Sequence, residues 1–314
     1  MNFPDKGKLF DIGKGIIATL ALFLAYISLP LAGFLPGLFT PLPGMYYILK
    51  SGKSAGLAIV LITTALLAMT AEPLVPLLYL AQSGLISLTL PFFLGKGWGA
   101  ARAIAFSVGT VSVVLLLAAA IFWLVRGTDP HTAILKGIGA SISQTTAIYE
   151  KSGLKGDELQ ALQQGVKEAG DLIARIYPAL TLVGLAAIAG LNLLALQRLA
   201  ARLGSLPTIG DFRKFKNPDH LIWFLIAAGF ALLLKDIYVL SAAMNVLVVT
   251  VSLYFLQGLA IVIHFFDWFK VGRLFRVIFY VLLTVQPYLA IAVALFGIFD
   301  LWGNFRTPKR QENL

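Results

Sequence analysis

The chain has 314 residues, of which 59% are hydrophobic and only 13% charged, and its mean hydropathy is +0.86. Soluble domains are about half apolar and a quarter charged, and a single core of this size could not hide so much apolar surface, so a soluble globular protein is excluded and lipid is the expected solvent. The net charge of +10 and the pI of about 9.7 would suggest nucleic acid in a soluble domain; here they read as basic loops holding the cytoplasmic side of a bilayer, and no nucleic-acid partner is expected.

Crossing the hydrocarbon core takes roughly 20 apolar residues in a helix. The first apolar run follows Lys6, Lys8 and Lys14 and meets Pro30, Pro36, Pro41 and Pro43 with no small-residue cleavage site between. It is therefore expected to stay as a first span rather than leave as a signal peptide. In chain order the candidate spans are 15–33, 34–50, 54–71, 74–95, 98–125, 173–200, 220–235, 237–266 and 272–300, which makes eight or nine. The stretch 34–50, FLPGLFTPLPGMYYILK, carries three prolines and two glycines, too many for a free helix. It is either a kinked span or surface loop, or a broken helix lining a ligand cavity, since irregular backbone survives in lipid only against protein or water. On the second reading Pro36, Pro41, Pro43, Tyr46 and Tyr47 are candidate ligand contacts.

Residues 127–171 hold four lysines and six acids, a balance of −2, with apolar residues at near-helical spacing from Leu159 to Ile176. They predict an extracytoplasmic loop with an amphipathic helix, its first turn marked by Asp157 and Glu158. Residues 198–218 hold five basic residues, among them Arg198, Arg202 and Arg213, against Asp211 alone, and should face the cytoplasm. The two signals agree on a cytoplasmic N-terminus and six spans as far as Arg198. After Pro218, three further spans put Arg306 outside, while two or four put it inside. Lys235 and Asp236 form either a tight external turn or a pair within the bundle.

Small residues recur every fourth position at Gly97, Ala101, Ala105 and Gly109, and as the pair Ala21 and Ala25. Such ridges let helices approach closely without a hydrophobic drive, either within this chain or against another membrane subunit. Polar residues in spans are costly and carry more information. At 100° per residue, Asn245 shares one face of span 237–266 with Ser241 and Ser252, while Tyr254 and Gln257 fall nearly opposite with Thr250 and His264. These are candidates for interhelical hydrogen bonds and, for Asn245, Tyr254 and Gln257, for ligand contact. The C-terminal GIFDLWGNFR places Asp300 and Arg306 as a local ion pair at a helix exit, with Trp302 in the aromatic belt.

Other chemistry is missing from the sequence. It holds no cysteine, no phosphate loop of the Walker type, no H-E-x-x-H and no G-x-S-x-G. His131, His220 and His264 are scattered. No cofactor, metal or catalytic constellation is expected.

Three segments carry a resemblance: FRKFKNPDHLIW (212–223), VSLYFLQGLAI (251–261) preceded by Asn245, and LFGIFDLWGNFR (295–306). With them the chain resembles the YybS family of predicted bacterial membrane proteins, along nearly its whole length, and that family is similar in turn to the substrate-binding S components of energy-coupling-factor transporters. The resemblance implies six helices with both ends inside and an outward-facing pocket, with Ala21 and Ala25 meeting a transmembrane coupling subunit. It implies no catalytic residue.

The reading is therefore an all-α polytopic bundle in the bacterial inner membrane. Residues 1–205 form a six-span bundle with the helical loop 127–171, residues 206–306 add two to four spans, and residues 307–314 are a polar tail. The expected role is a small-molecule binding transport component that lacks its own ATPase and works with the lipid bilayer, energy-coupling subunits or another membrane protein. The alternatives are a non-transporting scaffold or assembly factor and, last, an enzyme on a lipid-linked substrate, whose polar groups near Lys235, Asp236, Asp267 and Asp300 would have to converge.

Overall fold

The computed structural model describes residues 6–29, 32–72, 74–151, 156–200 and 210–306. Pro30, Arg202, part of the 127–171 loop and the 307–314 tail lie outside the described residues. Among the described residues all regular structure is helical, with no strand. The helices are α1 (Lys6–Ser28), α2 (Phe34–Leu38), α3 (Leu42–Ser51), α4 (Lys53–Thr70), α5 (Leu74–Tyr79), α6 (Leu85–Leu94), α7 (Ala100–Arg126), α8 (Pro130–Lys151), α9 (Asp157–Ala200), α10 (Leu221–Ala231), α11 (Ile237–Trp268), α12 (Arg273–Val285) and α13 (Pro287–Gly303). A π-helical turn, Leu80–Gly84, joins α5 to α6.

Six of these segments are long and apolar enough to cross a membrane: α1, α4, α5–α6, α7, α9 and α11. The bent pair α12–α13 makes up to seven. The eight or nine spans expected from sequence also count residues 34–50 and 220–235, and both fold into helices shorter than a bilayer. Residues 34–50 become α2 and α3 because the prolines take helix-start positions. Pro41 is the N-cap of α3 and Pro43 lies in its first turn, where no N–H is needed. At 1.5 Å per residue α3 rises about 15 Å, half the hydrocarbon thickness. At the other extreme, the amphipathic helix expected in the loop and the span after it are continuous as α9, with Pro178 inside.

The chain divides into two compact units, 1–130 with 184–210, and 131–183 with 211–314. In the first, Met45, Ile86, Leu90, Ala103, Val111 and Leu196 are buried among partners from α3, α6, α7 and the end of α9. A second cluster joins Phe23, Val60, Leu67 and Tyr79. Lipid tails are as apolar as leucine, so close fit rather than a hydrophobic drive holds such helices. Gly15 shows this, because a Cβ there would sit 2.3 Å from Ile59 Cδ1. Asp11 links α1 to α3 by accepting from Lys50 Nζ and Ser51 Oγ, each at 2.6 Å.

In the second unit α8 and the first part of α9 form a hairpin, with Ile142 against Gly170 and His131 bonded to Tyr177 at 2.9 Å. Lys235 and Asp236 lie in the exposed turn between α10 and α11. Asp236 caps α11 by accepting from the N–H groups of Tyr238 and Val239. The helices α11 and α13 cross at Gly258 and Gly297. A Cβ on Gly258 would lie 1.8 Å from the Val293 carbonyl oxygen, and one on Gly297 would lie 2.0 Å from that of Tyr254. Only glycine admits backbones this close. At Gln286 the chain turns by 106° from α12 into α13.

Candidate functional site: a basic cavity over a buried polar network

The polar centre of the second unit is Asp300, 1% exposed near the end of α13. Its Oδ2 accepts from Gln257 Nε2 at 3.0 Å and from the Arg306 guanidinium at 2.6 Å, and its Oδ1 accepts from the Phe305 N–H at 3.0 Å. Gln257 is itself fully buried on α11. Its Oε1 accepts from the Asn217 N–H at 2.9 Å, while Asn217 Nδ2 donates to the Leu253 carbonyl at 2.8 Å. The second guanidinium nitrogen of Arg306 donates to the carbonyls of Arg213 and Phe215 at 2.9 and 2.7 Å. Residues 210–220 are mostly non-helical and lie along α11, so their backbone groups find few partners within the segment itself. Gln257 and Arg306 supply them. The three segments that carried the resemblance meet here.

A second layer of charge lies around this network. Arg213 pairs with Asp211 at 2.8 Å and with Asp267 at 3.0 Å, and Arg276 also reaches Asp267, at 2.7 Å. The ends of α11 and α13 and the start of α12 therefore come to one polar end beside residues 211–217. The Arg213 hydrogen bonds hold the Asp211 carboxyl below the usual carboxylate range, and the two aspartates push Arg213 further up. Between these groups lies a cavity of about 490 Å³, lined by Asp211, Arg213, Lys214, Lys216, His264, Asp300, Asn304 and Arg306. Four cations face two carboxylates.

Of the residues singled out from sequence, Asp300 and Arg306 line this cavity as the ion pair expected of them, and Gln257 lies behind it. Tyr254 is fully buried on α11, and Trp302 is 68% exposed. Asn245 serves the backbone of α9. Its Oδ1 accepts from the Ala179 N–H at 2.8 Å, and its Nδ2 donates to the Arg175 carbonyl at 2.7 Å. Those two groups are the i, i−4 pair of a regular helix, bridged beside Pro178. In the first unit Pro41 is buried, Pro36 and Pro43 are half-buried, and Tyr46 and Tyr47 meet edge to face at 5.2 Å. Ala21 is exposed on α1 and Ala25 half-buried. Gly97 lies before α7 with φ +74°, so the helical part of its ladder is Ala101, Ala105 and Gly109, all exposed. Lys235 and Asp236 stand at the turn of the α10–α11 hairpin, away from Asp267 and Asp300 at the polar end.

Sequence reasoning missed Asn217 and the Arg213–Asp267–Arg276 chain. Asn217 had one signal, an Asn-Pro step inside a basic stretch read only for topology. It also missed the buried hydroxyls around the π turn, where Tyr79 faces Thr63 and Ser83 is fully enclosed.

Neither a curated protein nor a solved structure matches the chain. A family model, described as a predicted membrane protein of the DUF2232 type, matches residues 17–301. That stretch takes in five of the six long apolar segments whole, most of α1, and the polar network as far as Asp300; the chain belongs to the DUF2232 family of membrane proteins.

Proposed function

We propose that this membrane protein is the binding component of a transport system, and that it takes a small anionic molecule into the basic cavity of its second unit. The cavity carries the reading. Its volume of about 490 Å³ falls in the range of small-molecule sites, and its lining has more cations than carboxylates. The sequence has no phosphate loop, so the energy comes from a partner ATPase, from a coupled ion or from the ligand gradient. The resemblance to the YybS family and, through it, to transporter S components supports the same reading, with Ala21 and Ala25 as the contact for a coupling subunit. In this reading the protein lies in the bacterial inner membrane with its N-terminus inside, and its basic polar end faces the cytoplasm under the positive-inside bias. Residues 220–235 with α11, and α12 with α13, each act as a hairpin that returns to that side. No catalytic step is part of the proposal.

One observation favours a scaffold instead. Ala101, Ala105 and Gly109 leave an open ridge on α7, and nothing lies within 4 Å of a Cβ built on Gly109. Native mass spectrometry of the full chain from mild detergent separates the two. A bound anion of metabolite size, or co-purified ATPase and coupling subunits, supports transport. A chain carrying only an unrelated membrane partner refutes it and supports the scaffold.

A further inference from the structure

The four cations of the cavity are not equivalent. Arg213 is spent on carboxylates: its Nε donates to both Asp211 oxygens at 2.8 and 3.0 Å, and its NH1 donates to Asp267 at 3.0 Å. Arg306 is spent on Asp300 and two backbone carbonyls. These pairs also neutralise the two aspartates of the lining. What remains, among the described residues, is Lys214, with no ion pair, and Lys216, paired with the exposed Asp219 at 3.3 Å. Both lysines are exposed, and the His264 ring lines the same space.

We infer that the group this cavity recognises is a phosphate ester, held by Lys214 and Lys216 beside His264. The inference rests on the reading above that the cavity binds a small anion, and it names the class. The decisive quantity is charge. Once the arginine pairs cancel, the lining offers the two lysine charges, that of Lys216 only weakly offset by the solvent-exposed Asp219 at 3.3 Å. A phosphate monoester carries about −1.5 to −2 near neutral pH, whereas a carboxylate carries one and leaves a lysine unmatched. Lysine acts as a compact point charge toward phosphate, and a hydrogen bond from a charged donor is worth more than a neutral one.

The surroundings set the depth. Phe212 and Phe305 adjoin lining residues in the chain and are each 38% exposed; Trp268 follows Asp267 and is 67% exposed. Exposed aromatic rings beside basic groups mark the headgroup level of a bilayer, where basic pockets hold lipid phosphates. A soluble phosphate ester arriving from the aqueous side presents the same group. The two sources share one chemistry.

The test uses the full chain in detergent micelles, with isothermal titration of phenyl phosphate, benzoate and dihexanoyl phosphatidic acid. Phenyl phosphate and benzoate share an apolar ring and differ in the anion. Phenyl phosphate is expected to bind at least about tenfold tighter than benzoate. Lys214→Gln with Lys216→Gln should remove that advantage, while Lys214→Arg with Lys216→Arg keeps binding within about threefold. Tighter binding of the phosphatidic acid than of phenyl phosphate assigns the site to a lipid headgroup, and equal or weaker binding assigns it to a soluble ester. Equal binding of benzoate and phenyl phosphate overturns the phosphate inference and leaves the anion-binding reading standing. Phenyl phosphate binding untouched by the glutamine pair overturns the assignment to these lysines. If no probe binds, both readings fall. The comparison of probes on the unaltered chain holds even where a variant fails to fold.

Discussion

The two units solve the same problem, joining helices in lipid, by different means. The first packs side chains between helices: Met45, Ile86, Leu90 and Val111 are fully or almost fully buried, and its close approach at Gly15 is to the tip of an isoleucine. The second has little such core. No residue of α12 is buried and Ala228 alone of α10, and the buried apolar residues of α11 and α13 are mostly small, such as Ala243, Ala260, Val293 and Ala294. It is held where backbone meets backbone at Gly258 and Gly297, and where Asp300, Gln257, Asn217 and Arg306 satisfy one another. Side-chain packing yields by small rotations, whereas a glycine crossing and a closed polar network do not. The second unit should therefore be the more brittle, and the basic cavity lies directly on the brittle part.

One substitution made in both units tests this most sharply. Gly258→Ala drives a Cβ into the Val293 carbonyl and should cost about 4 kcal/mol, at the severe end for single substitutions. Gly15→Ala meets only side-chain atoms, of Ile59 and Tyr47, and should cost about 1 kcal/mol, a mild case of overpacking. Thermal melting followed by tryptophan emission measures both, since Trp98 and Trp123 report the first unit and Trp223, Trp268 and Trp302 the second. Equal losses would erase the contrast between the units. Next in size is Asp300→Asn, which leaves Arg306, with its side chain 14% exposed, facing no charge. Breaking a buried pair from one side costs about 3 to 5 kcal/mol, and the same melt should show it. A loss below about 1 kcal/mol would mean the pair behaves as a surface one.

Asn245→Ala removes the bridge beside Pro178 and should cost about 1 kcal/mol, within the range of interhelical hydrogen bonds in membranes. The local sign is faster hydrogen exchange at the Ala179 amide, and unchanged exchange there would show that α9 holds without it. The smallest effect is that of pH. Asp211 has its carboxyl depressed by Arg213, so its contribution is present above its ordinary value of about 3.9 and is lost as pH falls through the lower folded value. Stability should be flat from about pH 7 to 5 in respect of this group and fall below about pH 4, with the fall reduced in Asp211→Asn. A fall of the same depth in the variant would assign it to other acids.

Much of the site was visible as residues and little of it as a place. Asp300 and Arg306 could be paired from their spacing at a helix exit, and Gln257 stood out as a polar group in an apolar run. The segment holding Arg213 and Asn217 read only as a basic stretch, because its partners Gln257, Asp267 and Arg306 lie 40 or more residues away. Helical periodicity puts Asn245 on a face of α11, but a hydrogen bond to the backbone of another helix leaves no trace in that period. The prolines of 34–50 read as breakage, and the fold uses Pro41 and Pro43 to begin a helix instead.

Composition and local pattern are enough to settle the solvent and the class of element. So many apolar residues with so few charges leave lipid as the only medium, and lipid leaves helices that satisfy their own backbones as the only economical local structure. Composition and local hydrogen bonding decide both, and both are short-range. Tertiary structure alone decided which polar residues meet, that α11 and α13 touch through glycines, and that two arginines are consumed so that two lysines remain. Those outcomes depend on the register between helices far apart in the chain, which backbone contact and the need to pair every buried charge select together.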